Sequence, residues 1–144
     1  MKYIKIIGVL VLSIFMVGCG RNLNNITSKT SFEINETAKI DKLEITLINV
    51  NEIGNDTIEF IFKIKNNRSN SITLNPDNNF KIYNINSVQI PNIFSNDSNI
   101  IKSNDTVNYT LQYNIKNREL YEIYFYSGIV ENNIKFTVTS KEIK

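Results

Sequence analysis

An immunoglobulin-like antiparallel β-sandwich is the fold this sequence predicts, on three observations. From residue 32 onward apolar residues recur at every second position, the period of a half-buried strand. Breaks rich in Asn, Asp, Ser and Gly interrupt that pattern often enough to leave about seven to nine short strands. No helical period is sustained outside the N-terminal apolar run. With 144 residues, 42% hydrophobic and 21% charged, the chain has ordinary globular composition and room for one such core.

Residues 1–18 precede the sandwich and read as a signal peptide. Lys2 and Lys5 flank a short basic start, and an apolar run from Ile6 to Val17 follows. A membrane-crossing helix needs about 20 apolar residues, so this run directs export rather than spanning. Met16-Val17-Gly18-Cys19 resembles the bacterial lipobox, although Leu is commoner where Met16 stands. Small Gly18 precedes the scissile bond, and Cys19 carries the only thiol, able to form a thioether to diacylglycerol. The resemblance implies cleavage between Gly18 and Cys19 and a palmitate-bearing anchor on the extracytoplasmic face of the cell membrane. Each buried CH₂ is worth ~0.8 kcal/mol, so two chains hold where one is marginal. Residues 19–31 are then a polar tether, and 32–144 the sandwich domain.

Within the domain, Leu43, Ile45 and Leu47 alternate with Glu44 and Thr46. Ile48 and Val50 take the opposite parity, which predicts a bulge or a fully buried strand end. After the turn Gly54-Asn55-Asp56, Ile58, Phe60, Phe62 and Ile64 share one face and Glu59, Lys63 and Lys65 the other. Asn66-Asn67-Arg68-Ser69-Asn70 breaks that strand, Ser71–Leu74 is a short one, and Asn75-Pro76-Asp77-Asn78 is a turn. Phe80–Ile85 and Val88–Ile90 follow, ending at Pro91, which cannot donate to a ladder and marks an edge or strand end. Asn92–Asp105 reads as a polar loop pinned to the core by Ile93-Phe94 and Ile100-Ile101. Val107, Tyr109, Leu111, Tyr113 and Ile115 alternate with polar residues, and residues 116–120 suit one helical turn. Tyr121–Tyr126 and Ile134–Val138 complete the series. One Cys and no Trp exclude the antibody core, so aliphatic and Phe packing must hold the sheets together.

The segment Ile58–Leu74 resembles a strand, Asn-centred turn and strand of extracellular immunoglobulin-like domains in Gram-positive lipoproteins. That family, of uncharacterised function, is labelled telomeric repeat-binding factor 2-like or immunoprotective extracellular. Lys102-Ser103-Asn104-Asp105-Thr106, followed by Val107–Ile115, is similar to its turn-then-strand segment, with Ser-Asn where the family usually carries Pro-Gly. The resemblance covers about residues 38–127. It implies a β-sandwich on a surface lipoprotein, allows a role in surface protection or phage exclusion, and carries over no catalytic residue.

The charge pattern bounds the partners. Setting aside Lys2 and Lys5, 14 basic residues balance 14 acidic ones, which leaves no basic block for nucleic acid or anionic lipid. The absence of His, of a Gly-rich phosphate loop and of a Ser-x-x-Lys motif removes the usual nucleophile and phosphate-binding devices. The carboxylates stand singly, mostly on predicted solvent faces, so no enzyme activity is expected. Asp77-Asn78-Asn79 fails as a calcium loop, because Lys81 and Ile82 stand where a ligand and a Gly are needed. Neither a metal nor a cofactor is expected. If Ile123 and Phe125 face inward, Tyr124 and Tyr126 face outward and form a binding pair for a sugar ring or a protein. The expected function is a lipid-anchored, non-enzymatic binding module whose partner is an envelope protein, a wall polymer or a phage component. A structural accessory or assembly factor for an envelope membrane complex is the alternative.

Overall fold

The computed structural model describes residues 29–54, 56–96, 99–115, 121–128 and 132–144. The signal peptide, Gly18, Cys19 and residues 116–120 lie outside the described residues. In chain order the strands are β1 (Ser31–Phe32), β2 (Thr37–Ile40), β3 (Leu43–Gly54), β4 (Thr57–Asn66) and β5 (Ile72–Thr73). After a one-turn helix, Pro76–Asn79, come β6 (Phe80–Tyr83), β7 (Gln89–Ile90), β8 (Asn92–Ser95) and β9 (Ile100–Ile101). The last three are β10 (Thr106–Asn114), β11 (Tyr121–Tyr126) and β12 (Asn133–Val138), followed by a 3₁₀ turn, Ser140–Glu142.

Period-two patterning places one apolar face on each sheet, and the two faces close on each other. The first sheet runs β1-β12-β11-β6-β7, the second β2-β3-β4-β10-β8, and β5 pairs with β9 apart from both. Only β1 against β12 is parallel among these pairs. Phenylalanine rings stitch the layers. Phe62 of β4 meets Phe80 of β6 and Phe136 of β12, with centroids 5.1 and 5.6 Å apart. Phe80 also stacks on Tyr109 of β10 at 5.5 Å. All four rings are buried, and each is worth about 1.5–3 kcal/mol on burial. The antiparallel β-sandwich expected from the sequence is the fold observed.

Several local expectations are sharpened. The parity change in β3 is a register shift between Leu47 and Asn49 opposite β4, a bulge. The Asn75 turn tightens into the short helix. Asn75 caps it by accepting from the backbone N–H groups of Asp77 and Asn78, and Pro76 takes the first helical position. Two expectations are corrected. The strand from Phe80 ends at Tyr83, since Asn84 turns the chain by accepting from the N–H groups of Asn86 and Val88. The segment from Asn92 is not a loop pinned by two apolar pairs: it holds β8 and β9, and of its four apolar side chains only Ile101 is buried. Phe94 points out of the core because β8 pairs with β10 by putting it opposite solvent-facing Gln112, and Ile93 is exposed at the bulge where it has no partner in β10.

The two sequence segments that carry the family resemblance meet in space. Asn66, fully buried, donates through Nδ2 to the carbonyls of Asn70, Ile101 and Lys102 at 2.9–3.1 Å. Its Oδ1 accepts from Arg68 N–H, and its backbone exchanges bonds with Asn104 and Asp105. Arg68 in turn reaches Asp41 through both the carbonyl and the carboxylate, and Ser103 donates to the Arg68 carbonyl. One end of the sandwich is thus tied by a buried amide and a guanidinium rather than by apolar packing.

Candidate functional site

The outward face of the first sheet gathers the aromatic and charged side chains that sequence parity sends away from the core. In β11, Tyr121, Ile123 and Phe125 are buried, leaving Glu122, Tyr124 and Tyr126 partly exposed. Strand register then chooses their neighbours. Tyr124 lies between Lys81 of β6 and Lys135 of β12, and Glu122 between Tyr83 and Thr137. The expected outward orientation of Tyr124 and Tyr126 is what the strand adopts.

The side chains interlock. The rings of Tyr83 and Tyr124 meet edge to face, 5.6 Å apart at 85°. Tyr124 Oη donates to Glu122 Oε2 at 2.8 Å, and Lys135 Nζ donates to Glu122 Oε1 at 3.0 Å. Lys81 Nζ sits 5.4 Å from the centroid of the Tyr126 ring, a cation–π contact. Those bonds from Tyr124 and then Lys135 hold the Glu122 carboxyl below its usual range. Partial burial, followed by the adjacent carboxylate, pushes the Tyr124 phenol up to about 12. Burial also raises Tyr126. Both phenols are therefore neutral at physiological pH and offer ring faces and O–H groups rather than phenolate chemistry.

Three rings, two ammonium groups and one carboxylate thus share the outward face of the first sheet. Ring faces take the C–H faces of a sugar or an apolar side chain, while Lys81 and Lys135 supply donors. Among the described residues no group of three His, Cys, Asp or Glu side chains comes together to hold a metal. The Asn-rich loops spend their oxygens on the backbone: besides the Asn75 cap, Asn96 accepts from Thr110 N–H and donates to the Asn108 carbonyl. Sequence reasoning singled out Tyr124 and Tyr126 but did not place Tyr83, Lys81 and Lys135 beside them. Alternation along Phe80–Tyr83 already sends Lys81 and Tyr83 outward; what a single sequence does not carry is that β6 and β12 flank β11.

No protein-family model and no curated protein sequence matches the chain. Solved structures do resemble it in shape. The yjhA protein of Bacillus subtilis superposes with a TM-score of 0.62 at 16% identity, covering 74% of this chain and 98% of that one. The candidate lipoprotein ycdA of the same organism gives 0.60 at 11% identity. That match covers 73% of this chain but 38% of the other, so this chain spans well under half of that protein's length. The secreted protein MPT63 of Mycobacterium tuberculosis gives 0.53 at 6% identity, covering 76% and 95%. At such identities the likeness is one of fold.

Proposed function

We propose that the chain is an extracytoplasmic, lipid-anchored recognition module that binds a sugar-containing polymer of the cell wall on its tyrosine face. The observation that carries this reading is the cluster of Tyr83, Tyr124 and Tyr126 flanked by Lys81 and Lys135. Rings held by a neighbouring ring, a carboxylate or an ammonium lose little freedom on binding, which favours affinity. The two ammonium groups add donors for hydroxyls or for anionic substituents of a polymer. Export and anchoring come from the Lys2–Cys19 segment, and a Bacillus candidate lipoprotein and a mycobacterial secreted protein of like fold are consistent with work outside the cytoplasm.

The test is co-sedimentation of the full chain, extracted from membranes in detergent, with purified cell-wall sacculi that retain their attached polymers. The chain is expected to pellet with the walls, and Tyr124→Ala with Tyr126→Ala to lower its apparent affinity at least tenfold, about 1.4 kcal/mol. Undiminished binding by the double variant would remove the tyrosine face from the site. Failure of both proteins to pellet, with a membrane complex co-purifying instead, would favour an accessory role in envelope assembly.

A further inference from the structure

The two edges of the sandwich are built differently. On one side β1 and β2 are bracketed by charge: Lys29 pairs with Glu36 at 2.5 Å and Lys39 with Glu44 at 3.4 Å. Charged side chains of this kind are how natural proteins stop an edge strand from pairing with another chain. On the other side β7 ends the first sheet and β8 ends the second, joined through Pro91, so both unpaired edges lie together. The sequence from Asn84 to Ile101 carries one charged residue, Asp97, in a chain that is 21% charged. It also exposes Ile85, Val88, Ile93 and Phe94, each between 46% and 60% accessible. Pro91 blocks ladder donation at the crossover, whereas in β8, which has β10 as its one partner, alternate N–H groups point away from β10 to the free edge.

We propose that the β8 edge pairs with the β8 edge of a second copy of this chain, forming a two-fold symmetric dimer. An isologous contact sets a patch against itself, so any charge in it faces its own sign across the axis. A nearly uncharged edge is suited to that arrangement and offers nothing to a charged partner. Antiparallel pairing of two such edges extends the second sheet across the dimer. It brings Ile93 and Phe94 of the two copies together, covering two of the large apolar side chains that are exposed among the described residues.

The single cysteine makes the test direct. Full-length chains carrying Phe94→Cys or, as a control on the opposite edge, Lys39→Cys are treated in native membranes with a short thiol-to-thiol cross-linker. Phe94→Cys is expected to give at least ten times more covalent dimer than Lys39→Cys. The parent chain run alongside reports whether Cys19 is itself a free thiol; if it cross-links, the comparison is repeated with Cys19→Ser, which separates failure of the anchor from failure of the dimer. Phe94→Lys, which sets like charges across the axis, is expected to halve the protein mass in detergent sedimentation while shifting the melting temperature by less than about 3 °C. Equal cross-linking at both edges, or a parent chain that sediments as a monomer, would overturn the proposal.

Discussion

Among single residues, Asn66 is the one on which the fold depends most visibly. It ends a strand, yet its amide is fully buried and makes four hydrogen bonds to backbone groups of two other segments. Removing a buried partner leaves each orphaned group with a desolvation cost of about 1–3 kcal/mol. Asn66→Ala should therefore destabilise the domain by about 3 kcal/mol in urea unfolding, with an unchanged slope. Asn67→Ala, next to it and without that amide network, should cost less than about 1 kcal/mol. In the sequence Asn66 looks like one more turn former in a run of polar residues. Nothing in single-sequence periodicity distinguishes an Asn that faces water from one whose carbonyl partners arrive from residues 101 and 102. The outward pair Tyr124 and Tyr126, by contrast, was legible, because burial of Ile123 and Phe125 leaves the alternating positions only one other face.

Among the elements, strands with clean alternation were legible and their neighbours were not. β4 and β10 follow the predicted spans closely, and the β3 bulge was announced by the change of parity after Leu47. β8 was hidden because it is an edge strand: with one ladder partner and no buried apolar side, it has no alternation to display. The β2–β3 hairpin shows a local rule read from structure alone. Asp41 and Lys42 fill its two-residue turn with φ of 46° and 60°, the positive pair that a type I′ turn requires. Asp41 serves because its carboxylate also holds Arg68, whereas exposed Lys42 has no such role for its side chain and carries the left-handed cost of about 1 kcal/mol. Lys42→Gly creates the Asp-Gly turn such hairpins favour and should raise the melting temperature by about 2–5 °C, read by circular dichroism. A lower melting temperature would mean that Lys42 makes a contribution beyond its backbone.

For the whole molecule, the sandwich explains how a cysteine-free domain stands without disulfides. Its ring contacts cross between the sheets, and its one tied end relies on Asn66 and Arg68. The outer face of the first sheet holds the tyrosines with Lys81, Glu122 and Lys135, and one edge carries almost no charge. Fold class was legible because it needs only strand period and turn spacing; the composition of the tyrosine face was half legible because it depends on which strands become neighbours. Everything proposed about function presupposes that the domain hangs from the membrane by Cys19. The most direct measurement is membrane fractionation of cells labelled with radioactive palmitate, comparing the parent chain with Cys19→Ala. Label and protein together in the membrane fraction for the parent, with the label lost in Cys19→Ala, is the expected result. An unlabelled parent found in the culture medium would contradict the anchor and make the chain a diffusible secreted protein.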